Sequence, residues 1–418
     1  MMRELVEREA VAAAGAIPSL DDAAVGPALR RAAQLLEERA PDVLASNERD
    51  VEAAVGQLDE GALDRLRLDT ARVATLARQL EATAELAPLE REISSRTLAN
   101  GLQVRELRIP VGTIGANFEA RPGVALDVAA QVLKSLNTVV LRTGGAALAT
   151  VETLVDHVLR PALEAEGIDP GAVGLVRSAD RSGAEALVSL PRWIPLVILR
   201  GSGASTAALA RLAADNGVRT LAHAEGGGVL YVHGSARADR VTAIVESSLD
   251  RLGVCNRLNL ALVDREAAGL APELVAACGR SGVAVVGTAR AAAVLPVGHL
   301  DEPIGHEWAG DAARVATVTL DIVDDLAEAA RIANTETSAL AAGIVAEDAD
   351  AVESFFSLYR GTAAFWHAST RFTDGFELTG TPETGVNVEW APGPRGPVTY
   401  RDLWLRQYRV VGDGTQHR

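Results

Sequence analysis

Short apolar segments alternate with helical segments from residue 109 onward, and this alternation constrains the fold more than any other feature. Segments with the length and composition of buried strands lie at 111–116, 138–142, 173–176 and 196–199. Helical stretches separate them, at 124–136, 150–166 and 184–190. Apolar strands separated by helices are typical of a parallel sheet that is covered on both faces. The sequence therefore predicts an α/β fold.

The same alternation starts again after Leu230-Tyr231-Val232. Helices are expected over 238–252 and 272–281, and strands over 258–263 and 283–286. A chain of 418 residues is too long for one simple core, so two or three domains are expected. We therefore predict two α/β domains in succession.

The two ends of the chain follow other patterns. Residues 3–88 have Ala and Leu at helical spacing and are expected to form helices. Asn100-Gly101 lies between alternating flanks within 97–107, which is a strong signal for a β-hairpin. The tail from 385 to 408 is again alternating and turn-rich. We expect the tail to pair with the hairpin.

The charge of the chain excludes several classes of partner. Asp and Glu number 56 against 40 Lys and Arg, which gives a formal net charge of −16. Nucleic acid and anionic membrane surfaces would repel such a chain. No apolar run approaches the roughly 18 residues of a membrane span. With only two cysteines, the sequence predicts a cytoplasmic protein with free thiols.

Cys255 is the strongest candidate for a nucleophile. It lies between Val254 and Asn256, directly before the predicted strand 258–263. A core cysteine would more often have apolar neighbours on both sides, although a small buried residue is the alternative interpretation. Cys278 lies among alanines on a predicted helix, so we expect a core residue. No Cys/His pair has metal-ligand spacing, and a structural metal is not expected.

Three further segments contain groups suited to anionic ligands. Arg121 follows a predicted strand and can pair with a phosphate or carboxylate. Gly201-Ser202-Gly203 precedes an Ala-rich helix, whose first N–H groups suit a pyrophosphate. Several hydroxyl groups and Arg371 lie within 369–375, which indicates an oxyanion or phosphate site. Each segment also has an ordinary structural interpretation, as a surface loop or a capped turn.

Three segments together resemble the γ-glutamyl phosphate reductases, also called glutamate-5-semialdehyde dehydrogenases, of the aldehyde dehydrogenase superfamily. They are Pro110-Val111-Gly112 through Glu119-Ala120-Arg121-Pro122, Val254-Cys255-Asn256, and Ala368-Ser369-Thr370-Arg371-Phe372-Thr373-Asp374-Gly375. The resemblance covers nearly the whole chain. It implies two Rossmann-like α/β domains and a small β-flap for dimer or tetramer assembly. The implied boundaries are 1–96 with 110–235 for the N-terminal helices and cofactor-binding domain, 97–109 with 385–418 for the flap, and 236–384 for the catalytic domain.

The resemblance also implies a mechanism. In that family a cysteine thiolate attacks an acyl phosphate, phosphate leaves, and NADPH delivers hydride to the thioester. Cys255 matches the nucleophile, and N–H groups around Asn256 are expected to hold the oxyanion. An ordinary thiol is only a few per cent ionised at neutral pH, so we expect the neighbours of Cys255 to lower its pKa. The implied substrate-binding residues are Glu119, Arg121, Ser369, Thr370, Arg371 and Asp374, and the residues assigned to the cofactor are Arg142, Gly201, Ser202, Gly203 and Glu307.

The chain departs from the family at several pocket positions. Gly226-Gly227-Gly228-Val229 stands where the family usually has a Gly-Asn-Cys-His run, and Leu340-Ala341-Ala342 replaces His-Ser-Asp. Glu225 resembles the general base of ordinary aldehyde dehydrogenases only superficially.

The resemblance implies NADPH-dependent reduction of L-glutamyl 5-phosphate to the 5-semialdehyde, a step of proline biosynthesis. An acyl-phosphate-forming kinase is the expected partner. Reduction of another acyl phosphate or acyl thioester, and a non-catalytic assembly role, are the alternatives.

Overall fold

Helices account for the chain up to Glu85. The computed structural model describes residues 1–201, 203–223, 226–308, 316–390 and 394–417, and the main chain only at residue 223. The first helices are α1 (Met2–Ala16), α2 (Asp22–Glu38), α3 (Ala40–Ala54), α4 (Glu60–Leu66) and α5 (Thr70–Glu85). Carboxylates of Asp21, Asp59 and Asp69 each accept a backbone N–H in the first turn of the helix that follows. These caps satisfy donors that a helix start leaves free.

A three-stranded antiparallel sheet joins an early hairpin to the end of the chain. Its strands are β1 (Glu92–Thr97), β2 (Gln103–Pro110) and the last strand of the chain, β17 (Trp404–Val411). β2 lies in the centre, and β17 pairs with it from Trp404↔Pro110 to Val411↔Gln103. The hairpin begins five residues earlier than the sequence indicated, because Glu92 already pairs with Leu107.

The first parallel sheet follows directly. Its strands are β3 (Thr113–Phe118), β4 (Thr138–Thr143), β5 (Val173–Leu175), β6 (Leu196–Arg200) and β7 (Arg219–His223), in the order β5-β4-β3-β6-β7. The connecting helices are α6 (Val124–Lys134), α7 (Leu148–Leu154), α8 (Arg160–Ala165), α9 (Ser182–Leu187) and α10 (Gly203–Asp215). The strand order reverses between β3 and β6, which is where doubly wound sheets open a crevice.

A second, seven-stranded parallel sheet lies in the later part of the chain. Its strands are β8 (Gly228–Val232), β9 (Leu258–Asp264), β10 (Ala284–Gly287), β11 (Gly298–His299), β12 (Thr317–Val323), β13 (Ala341–Val345) and β14 (Ala363–Trp366), in the order β11-β10-β12-β9-β8-β13-β14. The helices of this half are α11 (Ala238–Ser247), α12 (Ala271–Arg280), α13 (Ala289–Ala292), α14 (Leu326–Thr335), α15 (Ala349–Leu358) and α16 (Gly375–Thr379). All seven residues of β9 and of β12 are buried, as expected for central parallel strands.

Two short strands lie in the chain between β14 and β17. β15 (Gly385–Asn387) and β16 (Gly396–Val398) pair with each other. The sequence grouped this stretch with the flap. In the structure it lies beside the edge strand β7 instead: the N–H of Val388 donates to the carbonyl of Ala222 at 3.1 Å, and the N–H of Ala222 donates to Oδ1 of Asn387 at 3.2 Å. These bonds satisfy edge groups of β7 that would otherwise be unpaired.

The cores of both α/β halves consist mainly of Ala, Val and Leu side chains. Cys278 is fully buried among them, which confirms its expected place in the core. Burial raises the pKa of its thiol to about 12. Among the helices of the described residues, none combines the length and apolarity that crossing a membrane requires.

Candidate active site

Cys255 lies in the turn that leads into the second sheet. The turn follows α11 and ends at β9, so the thiol lies at the amino edge of that sheet. Cys255 is half-buried and packs beside Leu340 and Val386. Its backbone carbonyl accepts the N–H of Gly227 at 2.5 Å. The residue is therefore fixed at the edge of the core rather than enclosed within it.

The glycine tract 226–228 forms one wall of the Cys255 turn. A Cβ on Gly226 would overlap the Cβ of Cys255 and lie 2.7 Å from its Cα. A Cβ on Gly228 would overlap Oγ1 of Thr370 and lie 2.7 Å from the carbonyl oxygen of Arg257. Gly227 has φ of +122°, a conformation that favours glycine. Close packing thus requires glycine at positions 226 and 228.

Charged groups around the Cys255 thiol act in opposite directions. Burial raises the pKa of this thiol above its ordinary value, while the guanidinium groups of Arg121 and Arg200 lower it. The carboxylates of Glu307 and Glu383 raise the pKa further. The expectation of a lowered pKa is therefore wrong. The positive neighbours are present, but desolvation outweighs them.

Arg121 lies in the loop between β3 and α6, close enough to Cys255 for their charges to interact. Burial, together with the nearby charge of Arg200, lowers the pKa of Arg121 to about 10, so the guanidinium remains protonated at neutral pH. Arg65 and Arg251 add positive charge to the same region. Several guanidinium groups thus converge beside the thiol, an arrangement suited to an anionic group.

The segment 369–374 is fastened to the Cys255 turn by hydrogen bonds. Oγ of Ser369 lies 2.8 Å from Oγ of Ser248, and Oγ1 of Thr370 donates to the carbonyl of Asn256 at 2.9 Å. The carboxylate of Asp374 accepts a backbone N–H in the first turn of α16. These three side chains have protein partners, and a direct role toward substrate stays a prediction for each.

Asn256 and Arg371 hold each other in place. Nδ2 of Asn256 donates to the carbonyls of Arg371 and Thr373, at 3.0 and 3.1 Å. Its Oδ1 accepts Nη1 of Arg371, whose Nε donates to Oδ1 of Asp250 at 2.7 Å. Both amide hydrogens of Asn256 are therefore in use. Its backbone N–H bonds to no residue within the described ranges, and its expected role toward an oxyanion stays a prediction. Substrate binding by Arg371 stays a prediction.

The strand order of the first sheet reverses between β3 and β6, and doubly wound sheets form their binding crevice at the carboxyl ends of such strands. Glu119 follows β3 and Gly201 follows β6, and a Cβ on Gly201 would lie only 3.2 Å from Oε1 of Glu119. Helix α10 begins at Gly203, so its amino end adjoins these strand ends. Dinucleotides bind at such switch points in doubly wound sheets. Two sequence candidates, Ser202 and Glu225, lie outside the described residues.

Arg142 and Glu307 lie in different places. Arg142 is near the end of β4, where Nη1 donates to Oδ1 of Asn117 at 3.2 Å and Nη2 to the carbonyl of Asp180 at 3.1 Å. Its buried Nε has no partner among the described residues. Burial lowers the pKa of Arg142, while Glu119 opposes that shift. Glu307 instead acts electrostatically on Cys255. Both cofactor assignments remain predictions.

Three charged residues of this region were not selected from the sequence. Arg200 ends β6, and its Nη2 lies 3.7 Å from Oε1 of Glu383. Oε2 of Glu383 accepts the N–H of Gly375 at 3.1 Å. Asp127 belongs to the first turn of α6, and the charges of Arg200 and Glu383 both act on its carboxyl group. Neither a single acidic residue on a predicted helix nor an Arg at the end of a strand stands out in the sequence as a site residue. Only the fold brings these residues together.

Comparison with known proteins identifies the family. No family model matches the chain. The γ-glutamyl phosphate reductase of Paramagnetospirillum magneticum is 33% identical over 423 residues, covering 99% of this chain and 97% of the relative. The crystal structure of the Thermotoga maritima γ-glutamyl phosphate reductase superposes with a TM-score of 0.89 at 27% identity, covering 99% of this chain and all of that one. An engineered glycolyl-CoA reductase with bound NADP+ shares the fold, with a TM-score of 0.70 at 14% identity over 98% of this chain and 96% of the other.

These likenesses extend along nearly the whole chain. The structure has the two parallel sheets and the antiparallel sheet that the sequence resemblance implied. Within the described residues, no group of His, Cys, Asp and Glu side chains is arranged to hold a metal ion. The chain therefore belongs to the γ-glutamyl phosphate reductase family and has an aldehyde dehydrogenase-like fold.

Proposed function

We propose that the chain reduces L-glutamyl 5-phosphate to L-glutamate 5-semialdehyde and phosphate, as a step of proline biosynthesis. The observation that carries this proposal is the position of Cys255, half-buried at a sheet edge beside the guanidinium groups of Arg121 and Arg200. Sulfur provides the nucleophile, and the cations suit an anionic acyl phosphate. This combination supports a catalytic chain over a non-catalytic homologue.

The protein groups divide the chemistry between them. The thiolate of Cys255 attacks the acyl carbon and forms a carbon–sulfur bond, while the acyl carbon–oxygen bond of the mixed anhydride breaks and phosphate leaves with its electron pair. Arg121 stabilises the thiolate and the departing phosphate, because its charge lies within reach of the sulfur. The backbone N–H of Asn256 donates to the oxyanion of the tetrahedral intermediate. When the thioester is reduced, the carbon–sulfur bond breaks and the thiolate is regenerated as the aldehyde departs.

A nicotinamide cofactor would bind at the carboxyl ends of β3 and β6, the position that the reversal of strand order favours. Gly201 and the amino end of α10 would hold its pyrophosphate, and Arg142 would lie at its ribose end. Bound NADPH supplies the hydride that reduces the thioester. The preference for NADPH over NADH is supported by Arg181, whose charge acts on Arg142, since paired guanidinium groups suit a ribose phosphate. A higher kcat/KM with NADP+ than with NAD+ is the expected result.

The reverse reaction tests the proposed function. The assay contains L-glutamate 5-semialdehyde, NADP+ and inorganic phosphate, and follows NADPH formation by absorbance. We expect phosphate-dependent turnover that is lost in Cys255→Ala and retained in the matched control Cys278→Ala. No turnover of this aldehyde by the folded wild-type protein would refute the proposed substrate. Turnover by Cys255→Ala would refute the proposed nucleophile.

The cellular setting and the assembly are also proposed. Both cysteines are free, which supports a reducing, cytoplasmic location. β17 is an edge strand with Leu405, Tyr408 and Val410 each about half exposed, which supports homodimer or homotetramer assembly through the antiparallel sheet. A kinase that forms the acyl phosphate is the expected partner enzyme. If this edge mediates assembly, light scattering of the Val410→Lys variant should give the mass of a monomer. If it does not, the variant should have the same mass as the wild-type protein.

A further inference from the structure

A single side-chain amide holds the main chain on both sides of Glu307. Nδ2 of Asn259 donates to the carbonyl of His306, and the N–H of Trp308 donates to Oδ1 of Asn259 at 3.1 Å. This carbonyl belongs to the peptide group before Glu307, and this N–H belongs to the peptide group after it. Because the two peptide planes set the backbone angles of the residue between them, the amide fixes the direction of the Glu307 side chain.

The segment that carries Glu307 is attached to two adjacent strands of the second sheet. Residues 300–307 belong to no helix or strand, so regular backbone pairing does not set their position. Nε1 of Trp308 donates to Oγ1 of Thr319 on β12 at 3.0 Å, and Asn259 lies on the neighbouring strand β9. Both strand residues are buried. Of the two attachments, the one to Asn259 holds the peptide groups of Glu307.

The same amide packs against the wall of the Cys255 turn. The N–H of Gly227 donates to the carbonyl of Cys255 at 2.5 Å. A Cβ on Gly227 would lie 3.4 Å from Nδ2 of Asn259 and 3.6 Å from its Cγ, so the glycine backbone lies directly against the amide. One side chain therefore contacts both the glycine tract that supports the thiol and the main chain that carries Glu307.

We propose that Asn259 is a positioning residue: it fixes the main chain of Glu307 against the glycine tract 226–228, so that the Glu307 carboxylate is held in place to bind the nicotinamide cofactor. This inference rests on the proposed function, because Glu307 serves the cofactor of that reaction. Asparagine suits the position, because a carboxylate would lack a donor for the carbonyl of His306 and an apolar side chain would leave two backbone groups unpaired. The charge of Glu307 also raises the pKa of the Cys255 thiol, which agrees with a carboxylate held on the side of the thiol.

A double-mutant cycle tests whether Asn259 acts through Glu307. Wild type, Asn259→Ala, Glu307→Gln and the double variant are titrated with NADP+ in a calorimeter, which requires no turnover. Each single substitution should raise the Kd for NADP+ by about tenfold, as for loss of one hydrogen bond to a charged group. The double variant should bind no more weakly than Glu307→Gln alone. Asn334→Ala is the matched control and should bind as wild type does, because the Asn334 amide spans the carbonyl of residue 358 and the N–H of residue 360 in the same way.

Alkylation of Cys255 by iodoacetamide without cofactor gives a second measurement. Glu307→Gln should speed alkylation at pH 8, because removing this carboxylate lowers the pKa of the thiol, and the rate should rise by about tenfold for each unit. Asn259→Ala should act in the same direction and add nothing to Glu307→Gln. The other charges that act on the thiol are the same in all four proteins, namely Arg121, Arg200 and Glu383.

Asn259→Asp provides the test if Asn259→Ala does not fold. Aspartate keeps the acceptor for the N–H of Trp308 but loses the donor to the carbonyl of His306, so it should also weaken NADP+ binding by about tenfold. Additive effects in the cycle, wild-type affinity in either single variant, or an equal loss in Asn334→Ala would overturn the inference and leave the proposed reaction standing. Wild-type protein that binds NADP+ but oxidises no glutamate semialdehyde would refute the proposed function alone, and wild-type protein that does not bind NADP+ would refute both.

Discussion

Substituting Gly226 by Ala gives the sharpest test of how the fold positions the nucleophile. The added Cβ would overlap the Cβ of Cys255 and lie 2.7 Å from its Cα. Non-bonded carbon atoms normally approach to about 3.5–4.0 Å. Because the contacting atoms belong to the backbone and Cβ of Cys255, no flexible side chain can move aside. The turn must therefore shift by about 1 Å.

The expected cost follows from this displacement. A misplacement of about 1 Å at a reacting group can lower the rate by about 100-fold. Forcing one extra methyl group into a packed region destabilises a protein by about 1–3 kcal/mol. We therefore expect Gly226→Ala to lose about 100-fold in kcat/KM, with a moderate decrease in the free energy of unfolding.

The assay for Gly226→Ala is phosphate-dependent NADPH formation from glutamate semialdehyde, combined with urea unfolding. Gly279→Ala is the matched control, because Gly279 lies in α12 and a Cβ there has no atom within 4 Å. This control should keep wild-type kcat/KM and gain up to about 1 kcal/mol of stability. Wild-type kcat/KM in Gly226→Ala would refute the reasoning, since the sulfur would not depend on this contact.

Further predictions concern the surroundings of the thiol. Arg121→Gln should raise the pKa of Cys255 further, because it removes a positive charge that acts on the thiol. Alkylation by iodoacetamide at neutral pH should then be slower, by about tenfold for each unit by which the pKa rises. An unchanged alkylation rate would contradict the charge interaction. In wild type the alkylation rate should still be rising at about pH 9, because burial holds the pKa of Cys255 above its ordinary value and the thiolate forms only as pH increases. Thr370→Val removes the donor to the carbonyl of Asn256 and should cost about 1–3 kcal/mol in urea unfolding, with lowered kcat. Asp250→Asn breaks an exposed ion pair with Arg371, so stability should change by less than about 1 kcal/mol while kcat falls if Arg371 positions Asn256.

The sequence was sufficient to predict the parts of the fold in which apolar strands alternate with helices. Apolar runs between helices predicted the parallel strands, and β6 appears at Leu196–Arg200 where 196–199 was expected. The helix expected over 238–252 ends at Ser247, because the residues that follow form the turn around Cys255. The stretch around Gly385 was less predictable. Its alternation suits any antiparallel pair, and only the position of β7 decides its neighbours.

The candidate site was predictable where the chemistry lies in one residue. Cys255 stood out because a thiol with a glycine and an asparagine close by, before a strand, is unusual. Burial was not visible in the sequence, and so the direction of the thiol's pKa shift was mispredicted. Asp127 was missed for the opposite reason. One acid on a predicted helix suggests a solvated face, and only the burial of every other residue of α6 shows that this helix has none.

The central claim is that Cys255 carries the acyl group during turnover. Incubating the protein with glutamate semialdehyde and NADP+ without phosphate should oxidise the aldehyde and leave one glutamyl group bound as a thioester. Mass spectrometry of the digested protein should find that group on the peptide containing Cys255, and adding phosphate should remove it. NADPH formation with no acylated peptide, or acylation of Cys278 instead, would contradict the account.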